Sequence, residues 1–322
     1  MTGRRAFLAR LAVLAAATDV RAEASPLPRI GWISYTAPGA ALDAFREGLH
    51  ALGYAGRNEV GIELRIVAPQ AARVQAALDE LAALPVALIV AQAAVAPLAH
   101  RQNAGRVPLV FAFSGDPVVA GMAASFARRG GNTTGMSFMA LELVGKRLEV
   151  MKEIAPHVRR VAILANPQHP GEQAELRASL AAAEQMGVQS VYVQLLPGER
   201  PEAAFDRIRR ERVQGIVVFQ DAGMVARAAS IAEFALKERL LAVSGWAQFV
   251  HAGFVATYGP SLGDVYRRLA GFADRLLKGA RGGELPVELP TRIELAINLR
   301  TARALGYAVP SALLARADEV IQ

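Results

Sequence analysis

Short apolar runs alternate with longer stretches of helical spacing along most of this chain, beginning near Arg29. The run at 30–34 is followed by residues 40–52, in which Leu42, Phe45 and Leu49 recur at intervals of three and four positions. The same unit is repeated at 60–67 with 73–84, at 87–91 with 95–103, and in a fourth run at 109–113. Continuous apolar strands that alternate with helices are typical of a parallel sheet covered by helices on both faces. The pattern therefore predicts an α/β fold.

The second half of the chain restarts this alternation after a glycine-rich stretch at 129–135 and a helical pattern at 141–154. Apolar runs at 161–165, 188–195, 216–219 and 240–243 alternate with helical patterns at 172–186, 201–211 and 225–238. The halves share no residue-level repeat, so they resemble each other in architecture only. A chain of 322 residues accommodates two compact domains of about 150 residues each. We predict two Rossmann-like lobes with parallel sheets, with the glycine-rich stretch as a turn at their junction.

The first 24 residues have the order of parts of an export signal. Arg4 and Arg5 precede an apolar run at 11–17, and Ala22 and Ala24 supply small residues at a cleavage position. The apolar run is much shorter than the roughly 20 residues that a membrane-spanning helix needs. The chain has no cysteine, which excludes a lipid anchor on cysteine. We predict a cleavable signal peptide at 1–24 and a periplasmic mature protein, and residues 4–8 resemble the twin-arginine export motif.

Basic residues outnumber acidic ones, and the formal net charge of +7 raises the question of an anionic partner. The arginines are scattered through helical stretches, for example at Arg159, Arg207 and Arg212, as on solvated helix faces. They are not accompanied by an aromatic platform or a DNA-reading motif. We therefore expect no nucleic-acid partner, and we expect the chain to be a monomer.

Polar and aromatic residues follow several of the predicted strands directly. They are Ser34, Tyr35, Ser114, Asp116, Asn166, Asp221 and Trp246. In open parallel sheets, ligands bind beyond the carboxyl ends of the strands, where polar groups and helix N-termini converge. Two facing sheets would line a cleft with these side chains. The serines, aspartates and asparagine among them are also common helix cap or turn residues, so both roles remain open for these positions.

Several longer strings resemble one known family. They are residues 113–118, residues 128–137 with the sequence Arg-Arg-Gly-Gly-Asn-Thr-Thr-Gly-Met-Ser, residues 258–261, and the closing segment from 288 to 319. Together they are similar to the ABC transporter substrate-binding family that is related to tryptophan- and tyrosine-binding receptors. The resemblance covers residues 28 to 321.

This resemblance implies the type I periplasmic-binding fold, in which two lobes close on a ligand by a hinge motion. The chain of such a protein crosses between the lobes three times, and we expect these crossings near 137–140, 252–257 and 283–289. Residues 25–139 and 252–284 would then form the first lobe, and residues 140–251 and 285–322 the second. The implied partners are a small-molecule ligand and an ABC permease in the inner membrane.

The resemblance also implies a ligand class and a set of binding residues. Relatives bind aromatic amino acids, so we expect an aromatic or apolar amino acid or a similar molecule. The positions that match their cleft strands are Ser34, Ser114, Asp116, Asp221 and Tyr258, with Asp221 as the partner of a ligand ammonium. The backbone amides of Ala93 and Ala94 are the expected partners of a ligand carboxylate, and Trp246, Tyr35 or Phe113 would stack on the ligand. The loop at 92–97 departs from the family pattern because it has no hydroxyl side chain.

An enzyme is the first alternative, and the motifs argue against it. The five histidines show no metal-ligand spacing, and the chain has neither a Gly-x-Ser-x-Gly elbow nor a Gly-x-Gly-x-x-Gly turn after its first strand. We therefore expect no catalytic residue, no metal and no cofactor.

Two non-enzymatic alternatives share the predicted fold. A ligand-responsive repressor would need an N-terminal DNA-binding domain, but only 28 residues precede Arg29, and they have export character. A periplasmic ligand-sensing subunit of a signalling system would use the same cleft with a different docking face. That alternative remains open beside transport.

Overall fold

Two separate sheets, each flanked by helices, contain the strands of the computed structural model, which describes residues 27–127, 131–138 and 141–322. This architecture confirms the predicted α/β fold with two parallel-sheet lobes. The signal peptide predicted at 1–24 lies outside the described residues. Within the described ranges, no helix is both long and apolar enough to cross a membrane.

The strands in chain order are β1 Arg29–Ser34, β2 Gly61–Ile66, β3 Val86–Gln92, β4 Leu109–Phe113, β5 Thr133–Ser137, β6 Arg160–Ala165, β7 Gln189–Gln194, β8 Gly215–Val218, β9 Leu241–Ser244, β10 Ala256–Pro260, β11 Val287–Glu288, β12 Ile293–Asn298 and β13 Glu319–Ile321. The first sheet has the order β11-β5-β4-β3-β1-β2 and is parallel throughout. The second has the order β13-β12-β10-β9-β8-β6-β7, in which only the β10–β12 pair is antiparallel.

The helices in chain order are α1 Ala40–Ala51, α2 Ala71–Ala82, α3 Ala96–Asn103, α4 Val144–Ile154, α5 Glu172–Gln185, α6 Glu202–Arg210, α7 Ala222–Ala226, α8 Ala228–Lys237, α9 Ala247–His251, α10 Leu262–Leu277, α11 Leu299–Ala304 and α12 Ser311–Leu314. Short 3-10 turns occupy Gly56–Asn58, Ala93–Val95, Leu141–Leu143 and Gly282–Glu284. The helical pattern at 225–238 is interrupted, because Arg227 separates α7 from α8.

Helix α10 packs closely on α1, which places it in the first lobe although it follows a strand of the second. A methyl group at Gly48 of α1 would collide with the backbone oxygen of Arg267 in α10. Leu269, Phe272 and Ala273 of α10 are fully buried. The first lobe therefore includes a helix contributed by a late part of the chain.

The sheet pairings locate the chain crossings between the lobes. The first lies between β5 and α4 and passes through residues 139–140, which are outside the described ranges. The second follows Pro260, because β10 pairs with β9 and β12 in the second sheet. The boundary predicted at residue 252 therefore shifts to the junction of β10 and α10. The third lies between β11 and β12, because β11 pairs with β5, so 285–288 belong to the first lobe and not to the second.

The glycine-rich stretch at the junction contains a strand that the sequence did not indicate. Thr133–Ser137 forms β5, and all five of its residues are buried. Gly135 has a φ of 149°, and a Cβ there would collide with the backbone of Phe111 in β4. The glycine is thus required by the close approach of two paired strands, whereas a turn was expected.

Candidate functional site

A cavity of about 630 Å³ lies between the lobes, at the carboxyl ends of strands from both sheets. The first lobe contributes Thr36, Ala37, Pro38, Gly39, Ala40, Ala41, Gln92, Ala93, Ser114, Phe138, Leu262, Gly263 and Tyr266. The second contributes Ala222, Val225, Ala226, Trp246, Ala247, Gln248, His251, Pro260 and Glu294. Most of these side chains are apolar, and the polar ones are few and separated. Such a lining is typical of a small-molecule site.

Two long helices of the first lobe begin at the cavity wall. Helix α1 starts after Gly39, which has a φ of 44° and provides no side-chain cap. Helix α10 starts after Ser261, whose hydroxyl accepts a hydrogen bond from the Asp264 amide at 3.4 Å. Both N-termini carry partial positive charge, because their first amides have no acceptor within the helix. This wall therefore attracts acceptor groups.

The end of β3 brings an amide side chain to the same wall. Gln92 lines the cavity, and its Oε1 has no hydrogen-bond partner among the described residues. Ala93 follows in a left-handed conformation with a φ of 56°. Burial raises the pKa of the neighbouring Tyr266 phenol, and a hydrogen bond with Gln92 acts in the opposite direction. Tyr266 therefore stays protonated, and its phenol is paired with the Gln92 side chain.

The opposite wall is formed by Trp246, which stands between β9 and α9. Its side chain is only 6% exposed, yet its indole Nε1 has no partner within the described part of the chain. The ring meets Phe138 edge-on, with 6.1 Å between the ring centroids. A buried N–H without an acceptor is costly, and Trp246 contributes to the cavity through the other atoms of its ring.

Aromatic rings form a continuous cluster from this wall into the first lobe. Phe138 contacts Tyr266 at 6.0 Å, Tyr266 contacts Trp32 at 6.1 Å, and Trp32 contacts Phe45 at 5.2 Å. Phe138, Tyr266 and Trp246 are the members that reach the cavity. The cavity therefore offers edge and face contacts to a planar ligand.

Charged side chains are scarce in the lining. Glu294 is the only acidic residue among the described lining residues, and it pairs with Arg292 at 3.4 Å. His251 bonds Glu319 at 2.8 Å. Lysine and arginine are absent from the described lining. A ligand would thus be recognised chiefly through apolar contact and neutral hydrogen-bonding groups.

Direct contacts join the lobes beside the cavity. The Ser114 hydroxyl lies 2.8 Å from His169 Nε2, and the Asp116 amide donates to the Pro170 oxygen at 3.1 Å. The His169 ring also stacks on Phe113, with 5.9 Å between centroids. These contacts link the end of β4 in the first lobe to the loop between β6 and α5 in the second.

Of the predicted site residues, Ala93, Ser114 and Trp246 line the cavity. Ser34 is buried at its edge, where its hydroxyl donates to the oxygen of the lining residue Thr36 at 2.8 Å. Tyr35 and Ala94 are exposed and lie outside the lining. Their ligand contact stays a prediction.

The remaining predicted side chains have other partners. The Asp116 carboxylate accepts from the Val118 amide at 2.7 Å, and Asn166 Oδ1 accepts from the Gln168 amide at 3.0 Å. Asp221 Oδ1 caps α7 by accepting from the Met224 amide at 2.8 Å. Tyr258 lines a separate depression of about 350 Å³ between α4 and β12. These four residues do not line the cavity between the lobes.

Several lining residues were not predicted. Phe138, Tyr266, Gln248 and Glu294 reach the cavity from a crossing segment, from α10, from α9 and from the start of β12. Gln92 drew attention only as part of a loop without hydroxyl groups. Tyr266 sits on the apolar face of α10, where nothing in its spacing separates a cavity residue from a core residue.

Comparisons with known proteins agree with this architecture. A family model described as ABC transporter substrate binding protein matches residues 31–321. A search of curated proteins found no match.

Solved structures of similar fold include two ligand complexes. An ABC domain of Streptococcus pneumoniae in complex with L-Trp has a TM-score of 0.81 at 20% identity and covers 92% of this chain and 100% of that chain. A conserved domain protein of Vibrio cholerae has a TM-score of 0.80 at 22% identity, and the match covers 91% of this chain and 99% of that chain. An R. palustris solute-binding protein in complex with 4-hydroxybenzoate has a TM-score of 0.53 at 17% identity, and the match covers 81% of this chain and 76% of that chain.

Proposed function

Because the chain belongs to the family of ABC transporter substrate-binding proteins, we propose that it is the exported receptor of an ABC importer. It captures a small aromatic or apolar molecule, such as an amino acid or a compound of similar shape, between its lobes. It then delivers this molecule to a permease in the inner membrane. In this role it is a binding protein and not an enzyme.

The cavity between the lobes is the observation that carries this proposal. It has a volume of about 630 Å³, lies at the carboxyl ends of both sheets and is walled by mostly apolar side chains. The N-termini of α1 and α10 provide directional backbone donors there. A hinged pair of lobes that encloses such a cavity suits reversible capture better than chemical turnover.

The ligand class is supported by the aromatic wall and by two relatives of the same fold. Trp246, Phe138 and Tyr266 present ring surface to the cavity. One relative is described in complex with L-Trp and another with 4-hydroxybenzoate. Both molecules combine one planar ring system with a polar end.

Export to the periplasm belongs to the same proposal and rests on the first 24 residues. Their basic start, short apolar run and small residues at 22 and 24 match a cleavable signal. The mature chain would act there as a monomer.

A thermal-shift panel tests the ligand class. The panel contains aromatic amino acids, aromatic acids, aliphatic amino acids and nucleosides, and each hit is confirmed by calorimetry. We expect an aromatic hit that, at about 100 times its Kd, stabilises the fold by about 2.7 kcal/mol. A panel in which only non-aromatic compounds bind contradicts the proposed ligand class.

A matched pair of variants tests the location of binding. Ala226 on α7 lines the cavity, whereas Ala229 on α8 is similarly exposed but does not. Ala226→Trp should fill the cavity and abolish the thermal shift, and Ala229→Trp should retain it. Equal effects of the two changes argue against this cavity as the binding site.

Uptake of the hit, measured in cells that lack the gene, tests the transport role. Reduced uptake supports an ABC importer. Unchanged uptake together with a lost transcriptional response favours a sensing subunit.

A further inference from the structure

The end of the second lobe that lies opposite the cavity carries a strongly basic surface. Helices α6 and α8 lie side by side there, because Phe205 stacks on Phe234 and Arg209 pairs with Glu238 at 2.8 Å. The paired strands β6, β8 and β9 begin at the same end. Six exposed basic residues form this surface, which we call the basic end: Arg159, Arg207, Arg210, Arg212, Lys237 and Arg239.

Hydrogen bonds join the segments of the basic end. The Gln214 side chain, which directly precedes β8, accepts from the Arg159 amide at 2.7 Å. The Gln214 backbone oxygen accepts from the Leu241 amide at the start of β9 at 3.2 Å. Arginines that are scattered through the sequence therefore meet at one surface.

The positive charge of the basic end is largely uncompensated. Its six residues form no ion pair within the ranges that the structure describes. Glu184, at the end of α5, is an exposed carboxylate nearby. Three further carboxylates at this end already pair with other arginines: Asp206 and Glu238 with Arg209, and Glu211 with Arg160.

Two of these arginines occupy backbone positions that favour glycine. Arg212 follows the cap residue of α6 with a φ of 49°, and Arg239 follows that of α8 with a φ of 58°. An L-residue is disfavoured in this left-handed conformation, so glycine is common there. At the same position, α1, α5, α9, α10 and α11 are followed by glycines of positive φ: Gly53, Gly187, Gly253, Gly279 and Gly306. Two helices thus accept a less favourable backbone, and both have an arginine at the basic end.

From the uncompensated charge and the two left-handed arginines, we infer that the basic end docks on a membrane surface that displays anionic phospholipid headgroups. Guanidinium groups bind phosphate well, and the attractions of several basic residues to an anionic leaflet add up. Leu236 stands beside Lys237 with 44% of its surface exposed, so an apolar side chain can enter the headgroup region. Docking would keep the protein close to the membrane and raise its concentration around a permease. The inference concerns a surface away from the cavity and does not depend on which ligand the cavity binds.

Co-sedimentation with lipid vesicles tests the inference. The purified chain is mixed with vesicles of phosphatidylcholine alone or of equal parts phosphatidylcholine and phosphatidylglycerol. We expect binding to the anionic vesicles only, and this binding should weaken as salt is added, because salt screens the attraction. Binding to neither kind of vesicle, or equal binding to both, overturns the inference and leaves the proposed function intact.

Two triple variants with the same change of net charge locate the binding surface. One replaces Arg207, Arg210 and Arg212 with Gln, and the other replaces the exposed first-lobe residues Arg57, Arg101 and Arg281 with Gln. The first should weaken binding to anionic vesicles by about tenfold or more, and the second should change it by less than about twofold. Both variants keep residues 1–24, so a difference between them does not come from that segment. Equal losses would show a response to net charge alone and overturn the assignment.

Short duplex DNA distinguishes lipid from another polyanion. We expect the chain to bind DNA more weakly than anionic vesicles at equal phosphate concentration, because DNA offers no apolar layer for Leu236. Tighter binding to DNA, lost in the variant of Arg207, Arg210 and Arg212, would assign the basic end to nucleic acid and overturn the lipid assignment.

The two left-handed arginines allow stability and docking to be separated. Replacing both Arg212 and Arg239 with Gly should raise the urea midpoint, because glycine adopts this backbone without strain, and should weaken vesicle binding by about fivefold or more. Replacing both with Lys keeps the charge and should retain most of the vesicle binding. The cavity ligand found in the thermal-shift panel should bind all of these variants equally. A glycine variant that binds vesicles as the unchanged chain does, or that unfolds at lower urea, overturns the docking role of the two arginines.

Discussion

Polar side chains at the carboxyl ends of the strands perform two different tasks in this molecule. Ser114 and Trp246 face the cavity, whereas Asp116 and Asp221 satisfy backbone amides of the turn or helix that follows. Both tasks draw on the same residue types, because an oxygen that can hold a ligand can equally cap a helix. The direction of the side chain decides between them, and this direction depends on local backbone geometry.

Asp221 allows these two tasks to be separated by experiment. Asp221→Ala removes the α7 cap and should lower the free energy of unfolding by about 1 kcal/mol, while the affinity for the aromatic ligand found in the thermal-shift panel stays within about twofold. Asp221→Ser keeps a capping oxygen without the charge and should restore most of the stability. Urea unfolding and calorimetry measure the two effects. A large loss of affinity with unchanged stability would return Asp221 to the ligand site.

At the scale of elements, local patterns identified most strands because a parallel sheet buries them on both faces. The strand at Leu109–Phe113 has the predicted limits, and all of its residues are buried. The strand at Thr133–Ser137 escaped notice because its threonines and Gly135 resemble a turn, and its burial comes from pairing with distant β4. Phe138 and Tyr266 were missed as site residues for a related reason: their position at the cavity depends on where the chain crosses between lobes.

The half-buried His100 of α3, which lies against β5, makes part of the stability depend on pH. His100 Nδ1 lies 2.9 Å from Thr133 Oγ1, and burial, with a smaller contribution from Arg101, lowers the pKa of His100 below its ordinary value. Protonation is therefore less favourable in the folded than in the unfolded chain. The stability due to neutral His100 is present above its ordinary pKa and is lost as the pH falls from about 7.5 towards 5.5.

Replacing the histidine tests this element-scale dependence. In urea unfolding, His100→Gln should flatten the decline of stability over that pH range, because the uncharged amide does not titrate. His50→Gln is the control, since His50 lies exposed in the last turn of α1. An unchanged slope in His100→Gln, or an equal change in both variants, contradicts the assignment.

At the scale of the whole molecule, the two lobes contact each other directly beside the cavity. Ser114 and Phe113 of the first lobe both touch His169 of the second. Contacts of this kind between hinged lobes contribute to the balance between open and closed forms. The apparent ligand affinity then depends on residues that do not touch the ligand, because it scales with the fraction of molecules in the closed form.

His169 is therefore expected to control closure without contributing to the cavity lining. His169→Ala removes its hydrogen bond and its ring contact, so ligand-free protein should show a larger radius of gyration by small-angle scattering. Affinity for the aromatic ligand found in the thermal-shift panel should fall by about fivefold as the closed population decreases. The control is His157→Ala, because His157 stacks on Tyr307 at 5.9 Å within the second lobe alone. A His169→Ala protein that scatters and binds like the His157→Ala protein would show that other contacts hold the lobes together.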